Sequence, residues 1–323
     1  MGLNFEYSPY SLKFKKSSRE VTGALLRVDG SISSIQAWEH LGDLSLDWQL
    51  KALSEKGWEA SALLKKSFHW LELDAFARKN EEALLSPDAL IPKSHYFFYH
   101  WVGCEDFSNK FSNLVENNFS HVKVKINNEQ LKSQDFKELI QGMLKFPLKL
   151  RIDLNSQSNF ESLFGFLKSL DEKELNSLDF IEDPFPFHEA QWEQLQREFE
   201  VRFALDFEKS PKFNESFELF IVKAAYQDKN TLIDRAANEM KRIVMTSYLD
   251  HPVAQCLTAF EASQAFEKHP LLIDECGLLS QNVYEDNSFS KYLNSEGPDF
   301  TLQEDGVGVG FESELKKIHW KKY

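Results

Sequence analysis

The chain has 323 residues, 42% hydrophobic and 27% charged, the balance of a protein that buries a sizeable core in one large domain or two smaller ones. Fifty-one acidic residues against 37 basic ones give a formal charge of −14, which repels phosphate backbones and anionic lipid, so neither nucleic acid nor a membrane surface is expected as a partner. No run approaches the roughly 20 apolar residues that cross a bilayer; the opening MGLNFEYSPYSLKFKK lacks the apolar segment of a signal peptide, Glu6 stands where myristoylation needs a hydroxyl, and Cys104, Cys256 and Cys276 form no CxxC pair, so a reducing cytoplasm is expected rather than a disulfide framework or a thiolate zinc site.

In chain order, the alternating apolar residues of Phe5–Lys15 and Glu20–Val28 predict two strands, joined by a turn at Lys16–Arg19. From Leu46 to Leu85 the apolar residues recur at three- and four-residue steps, which predicts helix. After residue 90 eight short apolar runs follow: 95–103, 121–126, 148–155, 178–185, 202–207, 219–225, 242–250 and 271–280. Amphipathic stretches separate most of them, among them DFKELIQGMLKF, NFESLFGFLKSL, EAQWEQLQREFE, NTLIDRAANEMK and PVAQCLTAFEASQAFE. Strands separated by helical crossovers pair in parallel, and near-continuous apolar runs are strands buried on both faces. Eight such units predict a closed (β/α)8 barrel rather than a doubly wound sheet, and no GxGxxG follows the first strand. The glycines of Gly306-Val-Gly-Val-Gly310 read as a turn in a C-terminal segment that returns to the N-terminal region.

Charged groups stand where these strands should end. Lys123 and Lys125 alternate on the second strand and so share a face; Asp153 and Asn155 do the same on the third. Glu182 and Asp183 end the fourth, Asp206 the fifth and Lys223 the sixth. The steps are 28 residues from Lys125 to Asp153, 29 to Glu182, 24 to Asp206 and 17 to Lys223, each about one β/α unit. All therefore reach the C-terminal rim, where barrel active sites lie. Taken singly, each of these residues reads more simply as a strand-end cap or a solvated charge; the ordered set does not. Three carboxylates on consecutive strands, with no His or Cys beside them, offer hard oxygen ligands for Mg²⁺, with Mn²⁺ as substitute. Without a cation they would repel one another. A lysine near such a cation and near other lysines has its pKa lowered towards that of a usable general base, and the metal stabilises the dianion left when a proton α to a carboxylate is removed. Metal plus lysine base makes an enediolate; the lysine-and-Mg²⁺ strategy is already known for one enzyme superfamily.

The motifs VKVKI, RIDLN, FIEDPF, ALDF and IVKAA, in order from about 121 to 225, resemble those of the enolase superfamily, and the lysine pattern resembles its muconate-lactonising subgroup. Within that subgroup SPYSLKFKK with GALLRV, AWEHLGD, TSYLDHPVAQ and GLLSQNVYEDN are similar to the o-succinylbenzoate synthase family. The resemblance implies a modified (β/α)8 (TIM-like) barrel at 95–297, an α+β capping domain at 1–94, and a C-terminal segment at 298–323 returning to that cap. It implies a small-molecule carboxylate substrate and a syn dehydration of 2-succinyl-6-hydroxy-2,4-cyclohexadiene-1-carboxylate to o-succinylbenzoate, in menaquinone biosynthesis. Lys125 would take the α-proton and then protonate the leaving hydroxide, Lys123 would stand beside the enolate, and Lys223 would lie across the substrate ring. Asp153, Glu182 and Asp206 would hold Mg²⁺, with Asn155 and Asp183 supporting them. Thr246, Ser247, Tyr248, Leu279 and Ser280 would touch substrate, although a hydroxyl at a strand end also serves as a local backbone partner. Lys16–Arg19 and His40–Asp43 are the candidate lid positions.

Two features depart from the family pattern. Ala224 follows Lys223 where proline is usual, and the 17-residue step before Lys223 predicts a crossover reduced to NESFEL. Retention of both lysines also suits racemisation or epimerisation of N-acylamino acids or dipeptides; against it, Ile273-Asp274-Glu275-Cys276 lacks the Asp-x-Asp associated with dipeptide recognition. Cycloisomerisation of a muconate and a non-catalytic scaffold are further alternatives, the last disfavoured by the intact lysine and carboxylate set. His251-Pro252 reads as the start of a helix, and His100 and Cys104 read as structural.

Overall fold

The computed structural model describes residues 4–206, 217–294, 296–303 and 306–323. Strands β1 (Glu6–Lys13), β2 (Glu20–Val28) and β3 (Ser31–Gln36) form an antiparallel sheet, with β1 and β2 in unbroken register from Glu6↔Arg27 to Lys13↔Glu20. The third strand, SISSIQ, is short and half serine, which hides it from a hydrophobicity reading; all six residues are nevertheless buried. Helices α1 (Leu46–Lys56) and α2 (Ala62–Lys79) follow, capped by Ser45 and Ser61, whose hydroxyls accept from Trp48 N (3.3 Å) and Leu64 N (3.1 Å). The helical pattern of 46–85 breaks at Gly57, whose φ of 78° favours glycine, and α2 ends by Asn80. Ser67 on α2 donates to Ser34 O on β3 at 2.9 Å, fastening helix to sheet.

The second body alternates strands and helices: β4 (Tyr96–Phe97), α3 (Phe107–Glu116), β5 (His121–Lys125), α4 (Gln134–Met143), β6 (Lys149–Asp153), α5 (Phe160–Ser169), α6 (Glu172–Ser177), β7 (Leu178–Glu182), α7 (Glu189–Phe199), β8 (Phe203–Leu205), β9 (Leu219–Lys223), α8 (Lys229–Asn238), β10 (Arg242–Thr246) and α9 (Pro252–Lys268). The seven strands pair in parallel in the order in which the chain makes them. Together with the cap sheet this is the expected TIM-like barrel with an α+β cap. The eighth run, 271–280, is not a ladder strand. Ile273 bridges Ile243 and Gly277 bridges Thr246 on one side, while Cys276 bridges Ser94 on the other. The segment thus closes the ring while dividing its pairing between two edges. Gly277 permits that approach, since a Cβ there would lie 2.7 Å from His95 Cε1 and 2.9 Å from Thr246 Cγ2. The first run, 95–103, keeps only two strand residues because the chain turns at Tyr99–His100, where Tyr99 N donates back to Phe97 O at 3.1 Å. Residues 207–216 lie outside the described residues, and with them Phe207 and half of the NESFEL crossover, Asn214 to Ser216.

Inside the barrel the inward positions divide. Phe180, Ala204, Leu219, Ile221 and Val244 form an apolar cluster of their own. Beside this cluster Arg151, 1% exposed, donates to Asp179 Oδ2 (2.7 Å), His95 Nδ1 (2.9 Å) and Glu275 O (2.7 Å), and lies over the Phe180 ring. The larger apolar core lies between the strands and the helices around them. After the barrel, Gly308 bridges Ala83, and Val309 N donates to Asp74 Oδ1 on α2 at 2.6 Å. Helix α10 (Glu312–Leu315) precedes β11 (Lys321–Lys322), which pairs antiparallel with β1 at Glu6↔Lys322 and Tyr7↔Lys321. Among the described residues no helix is long and apolar enough to cross a membrane.

Candidate active site

A cavity of about 770 Å³ opens at the C-terminal ends of the barrel strands, under the N-terminal sheet. Lys125 and Lys223 both line it. Their strands, β5 and β9, are the second and sixth of eight positions round the ring, so the two lysines stand on opposite walls. Between them β6, β7 and β8 deliver Asp153, Glu182 and Asp206. Register does this directly, since Lys125 pairs with Asp153 and Asp153 with Glu182.

The lysines of the second strand have different partners. Lys123 Nζ is buried and bridges Glu182 Oε2 (2.6 Å) and Asp153 Oδ2 (3.1 Å). Lys125 Nζ is 3.9 Å from Asp153 Oδ2, and its side chain is 42% exposed to the cavity mouth. Across the ring, the Lys223 ammonium is paired with Asp206 Oδ2. Asn155 and Asp183 both line the cavity with left-handed backbone (φ 45° and 40°), a conformation in which non-glycine residues store strain and which clusters at functional sites. Asn155 N donates to Asp153 Oδ1 (3.1 Å), and Asp183 Oδ1 accepts from Asp206 N (2.9 Å), so each orients a carboxylate-bearing residue.

The rim holds four carboxyl groups against three lysines, and its titration shows the excess. Burial raises the Asp153 carboxyl but is outweighed by Lys123, Lys125 and Lys223, which hold it well below the usual carboxylate range. Glu182 goes the other way, pushed up to about 7 by burial and then by Asp153. Burial and then Asp206 push Asp183 well above its range. Burial also disfavours the Lys123 ammonium, yet Asp153 and Glu182 hold its pKa above the ordinary lysine value. Among the described residues no trio of Asp, Glu, His or Cys stands in ligand positions; the ammonium groups of Lys123 and Lys223 hold the carboxylates instead. In donor type and excess charge the set still fits a hard divalent cation: oxygen ligands only, from adjacent strands.

Of the residues expected to touch substrate, Ser247 and Tyr248 line the cavity. Thr246, Leu279 and Ser280 are buried behind its wall, Ser280 accepting from Ser247 Oγ at 2.8 Å. From the expected lid segments Arg19 and His40–Asp43 reach the cavity. Asp43 ties that lid down, its Oδ2 accepting from Trp38 N and from Tyr248 OH, both at 2.9 Å. Trp38 Nε1 in turn donates to Tyr248 O at 2.9 Å. An aromatic wall of Phe14, Trp38, Phe97 and Tyr99 was not anticipated. The alternation of Phe97 and Tyr99 on the first barrel run was the available signal, while Trp38 follows the overlooked β3. His100 and Cys104 do not line the cavity. His251 is buried against Tyr10 and Phe289, and its Nδ1 caps α9 by accepting from Val253 N at 3.2 Å.

Residues 5–77 match the family model for the o-succinylbenzoate synthase N-terminal domain. Over its full length the chain is similar to a protein of Bdellovibrio bacteriovorus named o-succinylbenzoate synthase, 26% identical over 98% of each chain. Among solved structures it is similar to an enolase-superfamily member from Listeria innocua (16% identity, 99% and 98% of the two chains, TM-score 0.73). It is also similar to a dipeptide epimerase from Enterococcus faecalis complexed with Mg and the dipeptide L-Leu-L-Tyr (11% identity, 96% and 99%, TM-score 0.71). At these identities the structural likenesses establish the fold, and the sequence matches add the N-terminal domain. The chain thus has the fold of the enolase-superfamily proteins it is similar to, and its residues 5–77 match the o-succinylbenzoate synthase N-terminal domain.

Proposed function

We propose that the chain is an o-succinylbenzoate synthase, a cytoplasmic lyase of menaquinone biosynthesis that dehydrates 2-succinyl-6-hydroxy-2,4-cyclohexadiene-1-carboxylate. The supporting observation is the placement of Lys125 and Lys223 on opposite walls of one cavity, with buried carboxylates on the strands between them. Asp153, Glu182 and Asp206 are the residues that would hold Mg²⁺, which when bound supplies positive charge to a substrate carboxylate. Lys125, as the free amine, takes the proton α to that carboxylate; the C–O bond breaks, and the same lysine returns the proton to the departing hydroxide as water. Lys123, fixed between Glu182 and Asp153, keeps positive charge beneath the reacting carbon. Lys223 steadies the opposite face of the ring. Asn155 and Asp183 orient the carboxylates, and Ser247 and Tyr248 form the wall. The cap, residues 1–94 with 298–323, closes over the barrel of 95–297, and its aromatic wall suits a flat ring.

The same two lysines would serve a two-base epimerase, a reading favoured by the likeness to a dipeptide epimerase. Against it stands the strand-eight segment, whose Asp274 and Glu275 pair with Arg242 and His121 and are thus committed within the protein. The test is incubation with Mg²⁺ and the cyclohexadiene, following loss of diene absorbance, beside N-acylamino acids and dipeptides followed by α-proton exchange in D₂O. Rapid diene loss abolished by a chelator is expected. Exchange without diene loss would transfer the assignment to epimerisation.

A further inference from the structure

A second polar site lies at the seam between cap and barrel. Asp250, just past the Ser247–Leu249 wall, is 1% exposed; among the described residues no side chain bonds its carboxylate, and burial raises the carboxyl to about 7 against the opposing pull of the backbone N–H groups of Asp250 and Tyr248. It borders a small cavity of about 10 Å³, room for one water-sized occupant. Ser34 and Gln36 from β3, Ser67 from α2 and Tyr248 from the barrel line one part of the same cavity, and Ile35, Leu63, Trp70, Ala225 and Ala254 the apolar remainder. The titratable groups around Asp250 are Tyr10, Tyr248, Tyr284 and His251, and none of them supplies positive charge. Burial holds the His251 imidazole down to about 3, hence neutral, and no lysine or arginine is paired with Asp250 among the described residues.

A buried ionised carboxylate is paired, bound to a metal or neutralised by a proton. One carboxylate among neutral hydroxyl and amide oxygens carries a single charge, which is too little for a divalent ion. We propose that this cavity is a binding site for one monovalent cation of Na⁺ or K⁺ size, held by Asp250 with hydroxyl and amide oxygens of the cap. The ion would fasten β3 and α2 to the loop after β10, and so fix the Tyr248 wall of the active-site cavity. It is independent of the reaction assigned to that cavity.

The test is thermal melting of wild type and Asp250→Asn at pH 8 in NaCl, KCl and choline chloride at equal ionic strength. The expected result is a saturable rise of several degrees for wild type in one alkali salt over choline. The asparagine variant should not discriminate among the salts and should melt at or above wild type in choline chloride. Equal melting of wild type in all three salts, or equal salt selectivity in the variant, overturns the proposal. Should the variant fail to fold, Tl⁺ titration of wild type decides: one saturable site at pH 8 that is lost at pH 5 supports it, and no bound Tl⁺ overturns it. Wild-type stability that falls as pH rises through 7 in every salt would mark a neutral acid beside a water, which also overturns it.

Discussion

Glu261 on α9 is the buried hub that joins cap to barrel. Its side chain is fully buried and receives Lys66 Nζ (2.6 Å), His69 Nε2 (3.1 Å) and Trp70 Nε1 (3.2 Å) from α2, with Lys229 Nζ of α8 at 3.4 Å. Burial raises its pKa, but the His69 bond and the Lys66 and Lys229 charges outweigh it and bring it from 4.5 down to about 2. At about 1.36 kcal/mol per pKa unit, that depression corresponds to roughly 3 kcal/mol of stability. The gain is partly offset at Lys229, whose ammonium burial pushes below its usual range. For an acid whose pKa falls on folding, the stabilisation is complete above the unfolded value near 4.5 and is lost as pH falls through about 2. Glu261→Gln keeps the volume and removes the charge. Taking about 2.1 cal/mol/K of unfolding entropy per residue, 323 residues give roughly 0.7 kcal/mol/K, so the variant should melt about 4 °C below wild type at pH 7. By pH 3 the gap should shrink to under half. Scanning calorimetry at both pH values measures it. A variant that melts within 1 °C of wild type at pH 7, or one whose deficit is unchanged at pH 3, would refute the assignment of Glu261 as a charged hub.

Tyr248→Phe removes the hydrogen bond to Asp43 that pins the His40–Asp43 lid. Bonds to charged groups contribute about 1.5–3 kcal/mol, so KM for the cyclohexadiene should rise about tenfold or more while kcat changes little, measured by steady-state kinetics. Gly277→Ala places a methyl group against His95 and Thr246 where the barrel closes; overpacking of about 1–3 kcal/mol should appear as a lower denaturation midpoint. Lys123→Met leaves Asp153 and Glu182 buried without their bridging charge, a loss of about 3–5 kcal/mol. Added Mg²⁺ should restore more melting temperature in that variant than in wild type.

The parallel strands from β5 to β10 were legible because each is a buried apolar run that ends in a chemically distinctive residue. Lys125, Asp153 and Glu182 could be aligned from sequence because period-two alternation and parallel register leave them nowhere else to point. The ends of the barrel were less legible. The 271–280 run looks like a strand but pairs with two edges in turn, a consequence of ring closure that no local pattern carries. The serines of β3 conceal a fully buried strand whose neighbours lie on α2, and with it Trp38 was missed as part of the wall, although the adjoining His40–Asp43 lid was legible. Charge pairing was hidden for a similar reason. Alternation places Lys123 and Lys125 on one face, but only their depth in the barrel makes the first a partner of Glu182 and leaves the second at the cavity mouth.

The most direct test of the central claim is single-turnover kinetics of wild type, Lys125→Ala and Lys223→Ala with Mg²⁺ and the cyclohexadiene carboxylate, with folding of each variant checked by melting. The account predicts rapid loss of diene absorbance in wild type, no detectable enzymatic loss in Lys125→Ala, and a severe slowing in Lys223→Ala. Dehydration by Lys125→Ala at the wild-type rate would contradict the placement of the catalytic base on β5.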